Sequence, residues 1–152
     1  MTIEERLTDL GLELPEPTKP LASYVPVRVS GSLAHVSGQT PSEAGSPLWT
    51  GRLGEDVSIE DGQAAAQRCA LQVLSVLKAE LGELSRVRRF VQVTAYVASA
   101  PGFTDQPKVA NGASDLFVDV LGDDGRHARA AIGVASLPLG VPVEVSAVVE
   151  IA

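Results

Sequence analysis

Arg129-Ala-Ala-Ile-Gly-Val134 is followed by Leu137-Pro-Leu-Gly140 and then by Val141-Pro-Val-Glu-Val-Ser-Ala-Val-Val-Glu-Ile151. Val141, Val143, Val145, Ala147, Val149 and Ile151 recur with period two, the mark of a strand with one buried face. Two side chains break the pattern. Arg129 sits among small apolar residues, where a cation is costly to bury unless a carboxylate or phosphate meets it. Glu144 interrupts the apolar run fifteen residues later. If Leu137 to Gly140 close a tight hairpin, position 133 faces 144, and parity puts Arg129 and Glu144 on one sheet face. At about 3.3 Å per residue they then lie roughly 13 Å apart along the strand, room for a small charged molecule, unless a bulge or a partner subunit supplying one residue changes that distance or both side chains simply point into water.

The rest of the chain supplies the layers for that sheet. Thr2 and Glu5 have capping-box spacing, with Ile3, Leu7 and Leu10 at helical intervals and Gly11 as a stop. Pro15, Pro17 and Pro20 then predict an extended leader, which divides the chain into residues 1–20 and a single domain over 21–152. From Leu21 the pattern turns to strands, Tyr24 to Val29 and Leu33 to Ser37, separated by Ser30-Gly31-Ser32. Pro26 assigns the first of these to an edge or a bulge. Gly38 to Asp56 is expected to be a long loop pinned by Trp49. Ser58 and Asp61 start a helix whose stripe runs Ala66, Cys69, Ala70, Val73, Leu74, Leu77 and Leu81. Val87 to Val97 suits a central strand. A second helix follows Asp105, with Val109, Ala113, Leu116, Phe117, Val120 and Leu121 inward. Two long helices over one face of a mixed sheet of about five strands give a two-layer α+β fold. The other face, half apolar, is left uncovered and favours association into a closed oligomer.

Composition closes off several functions. The 152 residues are 45% hydrophobic, enough for one core, and carry a net charge of -7 with a pI near 4.7. No basic cluster exceeds Arg86-Val-Arg-Arg89, so nucleic-acid binding is disfavoured. Cys69 is the lone cysteine and lies on a helix stripe, which suits a core residue. His35 and His127 are too few and scattered for zinc, and no phosphate-binding glycine loop is present. No metal and no cofactor are therefore expected. No apolar run reaches membrane-spanning length, and the charged N-terminus lacks a secretion segment, as expected of a cytoplasmic protein.

Several short patterns coincide in order: Ser37-Gly-Gln-Thr-Pro41, Phe90-Val-Gln-Val-Thr-Ala-Tyr-Val97, Asn111 at the opening of the second helix, Arg129 to Val134, Leu137-Pro138 and Val143-Glu144. Together, over roughly Leu21 to Ile151, they resemble the YjgF/UK-type family, also called RidA-like and once labelled endoribonuclease L-PSP. The resemblance implies a chorismate-mutase-like α+β fold assembled as a homotrimer, with clefts between subunits that bind small carboxylates. It also implies hydrolysis of reactive enamines and imines such as 2-aminoacrylate to a 2-keto acid and ammonia. By position, Arg129 matches the arginine that grips the substrate carboxylate, and Glu144 the glutamate that orients or activates water. Tyr24 matches a cleft tyrosine, Ser37 and Gly38 a loop whose backbone approaches the ligand, and Asn111 a cleft-edge asparagine.

The chain departs from that pattern at Pro26 and Val27, where active deaminases usually carry glutamine and glycine. It departs again at Ala131 and Gly133, which replace a common cysteine and an acidic residue. Against the family pattern, these changes leave the carboxylate grip intact and reshape the pocket wall. Two readings follow: a cofactor-free imine hydrolase, or a trimer that binds or senses a small keto acid without turnover. A ribonuclease is disfavoured by the acidic balance.

Overall fold

The computed structural model describes residues 1–20 and 22–152; Leu21, where the strand region and the domain boundary are expected to begin, lies outside them. A short helix α1 (Ile3–Asp9) opens the chain. Strands β1 (Val27–Ser30) and β2 (Leu33–Gln39) follow, then a two-residue-strand hairpin of β3 (Ser42–Glu43) and β4 (Ser46–Pro47). Helix α2 (Ile59–Leu81), strand β5 (Val87–Ala98), helix α3 (Gln106–Leu121), and strands β6 (Ala128–Val134) and β7 (Val143–Ile151) complete it. The expected long loop thus contains a small hairpin of its own.

Local chemistry accounts for the helix ends. Thr2 Oγ1 accepts from the Glu5 amide at 3.1 Å, and the Glu5 carboxylate returns a bond to the Thr2 amide at 2.7 Å. Ser58 caps α2 through the Asp61 amide at 3.1 Å, and Gly82 ends the helix at φ 83°, a conformation only glycine takes freely.

Sheet order is β1-β2-β7-β5-β6, with β5 and β6 parallel and the other pairs antiparallel. Helices α2 and α3 cover one face, giving the two-layer α+β architecture. Val143, Val145, Ala147, Val149 and Ile151 of β7 are all buried against them, each valine worth about 1.5–3 kcal/mol of burial. Phe90 of β5 stacks on Phe117 of α3 with ring centroids 4.0 Å apart. Cys69 lies fully buried on α2, and Trp49 packs partly buried against the same core.

The expected hairpin between β6 and β7 does not form. α3 carries the chain from β5 to β6, and those strands pair as parallel neighbours, an arrangement that a helical crossover permits. β5 then occupies the inner edge of β6, and β7 must pass to its far side. Residues 135–142, with Pro138–Gly140 wound in a short 3-10 turn, carry the chain across. Side-chain size selects the arrangement: β7 has the apolar row that a central strand needs, whereas β6 carries mostly small residues and takes the edge.

Candidate active site

The changed strand order moves Arg129 relative to Glu144. Arg129 pairs with Val93 of β5, and Glu144 pairs with Tyr96. Three residues apart on one strand means opposite faces. Arg129 therefore stands on the helix-covered side with buried Val93, and Glu144 on the open side with half-buried Tyr96. About 10 Å along β5 and about 10 Å across two strand spacings also separate them. The shared face expected from the sequence is corrected by this register: one chain cannot bring both side chains to one small molecule.

Each residue instead has its own set of contacts. Arg129 lies exposed on the edge strand, and α3 steers its guanidinium. Nη1 donates to Asn111 Oδ1 at 2.8 Å and to Ser114 Oγ at 3.2 Å, while Nη2 donates to the Pro107 carbonyl at 3.4 Å. All three acceptors are neutral, and among the described residues Arg129 forms no ion pair. Its position is fixed while its charge stays uncompensated, which suits a site for an anion. Asn111 does not open α3, which begins at Gln106; it lies in the second turn and meets the guanidinium from there.

The acidic half-site lies across the sheet. β2 slips register against β7 between Val36 and Gln39, so that Ser37 and Gly38 form a bulge. Gly38 lies over the Glu144 side chain, where a Cβ would stand 2.9 Å from its Cδ. Glycine leaves the carboxylate in place there, where a larger residue would push the Glu144 side chain aside. Ser37 Oγ donates to the Val25 carbonyl at 2.7 Å and its amide to Pro26 O at 2.8 Å, which holds the segment after exposed Tyr24 beside the bulge. Burial pushes the Glu144 carboxyl above its ordinary pKa, making the anion a stronger base.

The structure thus brings the Ser37–Gly38 bulge to Glu144 on one side and Asn111 to Arg129 on the other, while Tyr24 lies exposed just ahead of the segment that Ser37 holds. It adds Ser114 and the Pro107 carbonyl to the cationic group. The i, i+3 spacing of Asn111 and Ser114 on one predicted helix was the available signal for the first. Cys69, whose thiol burial pushes well above its ordinary pKa, is inert as a nucleophile. Among the described residues no metal-binding cluster exists, and no helix is long and apolar enough to cross a membrane.

The YjgF/chorismate mutase-like family, whose description also carries an endoribonuclease label, matches residues 4–151. The chain belongs to this family. Protein TCP17 of Trypanosoma cruzi is 49% identical over 150 residues, spanning 98% of this chain and 94% of that protein. Protein Atu1372 of Agrobacterium tumefaciens, described as of unknown function, is 48% identical with a TM-score of 0.91, covering 99% of this chain and 92% of its own. A Shewanella oneidensis protein described as a candidate endoribonuclease superposes at TM-score 0.95 with 34% identity, covering 99% of this chain and all of its own, 100%. These family labels name no substrate.

Proposed function

We propose that the protein hydrolyses small enamine or imine acids of the 2-aminoacrylate type to 2-keto acids and ammonia, in clefts where copies of the chain meet as a homotrimer. The observation that carries this reading is the division of charge within one chain. Arg129 is a placed, unpaired cation at a sheet edge, and Glu144 is a base of raised pKa on the uncovered face. A second copy laid edge to face completes the pair: Arg129 of one protomer and Glu144 of its partner border one cleft.

The chemistry asks little more. An enamine acid takes a proton at carbon to become the imine. Arg129 holds the carboxylate through parallel N–H bonds and fixes which face of the C=N bond is open. Water adds to the C=N carbon while Glu144 accepts its proton; Glu144 then returns that proton to the amine nitrogen, and collapse of the carbinolamine expels ammonia and leaves the keto acid. Tyr24 and the Ser37–Gly38 bulge wall the acidic side, and Asn111 holds the arginine. Neither metal nor organic cofactor enters these steps.

The test is turnover of 2-aminoacrylate, generated enzymatically in the assay, by pure protein and by Arg129→Ala. Loss of charge-assisted bonds worth about 1.5–3 kcal/mol should weaken keto-acid binding about 10- to 100-fold. Binding without turnover by the wild-type protein would replace this reading with a sensing or sequestering trimer. Equal turnover by both proteins would remove Arg129 from the site.

A further inference from the structure

Behind Arg129 lies a chain of hydrogen bonds that the proposed hydrolysis does not use. Ser114 Oγ, which accepts from the guanidinium, is 2.8 Å from Nε2 of His127. The other ring nitrogen, Nδ1, is 2.7 Å from the Gly125 carbonyl oxygen. A carbonyl oxygen only accepts, so Nδ1 carries the hydrogen. In the neutral ring Nε2 is then the acceptor, and the Ser114 hydroxyl must donate to it. With its hydrogen committed, Ser114 Oγ turns its lone pairs to Arg129. Polarity runs one way, from the guanidinium through the hydroxyl and imidazole to the backbone.

We propose that Ser114 and His127 are positioning residues of the anion site, holding the Arg129 guanidinium in place through a relay that requires the neutral imidazole. The proposal builds on Arg129 as the carboxylate grip and adds what aims it. Three further observations support it. His127 and Arg129 are two apart on and just before β6, so both point toward α3. The ring is wedged edge-on against buried Phe117, with centroids 5.9 Å apart at 86°, which fixes its plane. Gly125 packs so closely on α3 that a Cβ would stand 2.1 Å from the Phe117 carbonyl oxygen, so the terminal acceptor is rigidly placed.

The charge balance around the ring supports a neutral state. Burial lowers the His127 pKa, the Gly125 carbonyl opposes this, and the positive charge of Arg129 lowers it further. β5 presents apolar Phe90 and Val93 on this side. The acidic side chains of the packed elements are Asp115 and Asp119 on α3 and Asp123 and Asp124 in the turn before β6, all exposed. Asp123 is taken by Arg126 at 3.1 Å. Protonation would turn Nε2 into a donor, forcing two cations onto one hydroxyl oxygen. The relay therefore persists through the ordinary histidine pKa of about 6.5 and is lost only as pH falls through the lowered folded value.

Three variants, Ser114→Ala, His127→Phe and His127→Gln, test the relay by two readouts. The first is hindered rotation of the Arg129 guanidinium, followed by NMR of its N–H groups without ligand. The second is affinity for 2-oxobutyrate, a keto acid, between pH 5.5 and 7.5. Ser114→Ala and His127→Phe should free the rotation and weaken binding about 3- to 10-fold, the scale of one hydrogen bond. His127→Gln, which keeps an uncharged acceptor, should retain wild-type affinity at pH 7.5 and flatten the acid limb. Glu144, whose pKa burial raises, is present in both proteins and cancels in that comparison. Unchanged rotation and affinity in Ser114→Ala and His127→Phe would overturn the proposal. So would acid limbs of the wild type and His127→Gln that coincide. If the wild type binds no keto acid, the rotation still decides the relay, and the hydrolase reading alone fails. If His127→Phe does not fold, Ser114→Ala and His127→Gln decide it.

Discussion

If the proposed hydrolysis is the activity, Glu144→Gln should lower turnover of 2-aminoacrylate-type substrates by about 10²–10⁴-fold, the range of a lost general base. The same substitution should leave keto-acid binding within about twofold. Gln matches Glu in size, so the close contact with Gly38 is preserved and the bulge need not move. What disappears is the proton acceptor. Burial raises the carboxyl pKa, so the wild-type rate should climb with pH through a value above that of an exposed glutamate, where the active anion forms. The Gln variant should lack that limb. Steady-state turnover across pH, beside binding measured by titration, separates the two effects. A Gln variant with full turnover would leave Glu144 a bystander on the open face.

Much of the fold is legible where a signal is local. Ser58 and Gly82 mark the ends of α2 because a hydroxyl cap and a positive-φ stop act within a few residues. The inward row of β7 is written in alternate residues. Pro26, which cannot donate to a ladder, foretells the edge position of β1. The neighbour of β6 is not written this way. Nothing between Val134 and Val143 tells a tight hairpin from a crossing over β5, since both need proline, glycine and a few polar residues. That one choice moved Arg129 and Glu144 from one face of the sheet to opposite faces. The individual residues were readable because an isolated charge in an apolar strand needs an explanation. His127 was not, because its role depends on a hydroxyl that only α3 packing brings within 2.8 Å.

Gly112→Ala should cost about 3 kcal/mol of stability and loosen the Arg129 site at the same time. On helix propensity alone the change would help, since alanine exceeds glycine by about 1 kcal/mol in a helix interior. Packing opposes it. α2 and α3 cross so closely that a Cβ at Gly112 would stand 2.1 Å from the backbone carbonyl oxygen of Gln63, and backbone cannot swing aside as a side chain can. Gln63 also ties the helices by donating to the Lys108 carbonyl at 2.9 Å, so the contact cannot open without losing that bond. The helices must separate by roughly 1 Å or more, and overpacking of that kind sits at the upper end of its usual 1–3 kcal/mol range. Asn111 and Ser114 flank Gly112 on α3 and hold the guanidinium, so a displaced helix carries the acceptors away from Arg129. Thermal unfolding should show a melting temperature lower by roughly 6–12 °C for a domain of this size, and keto-acid binding should weaken below it. A variant that melts as the wild type does would mean that the crossing has slack, and that the rigidity assigned to α3 as the support of Arg129 is not there.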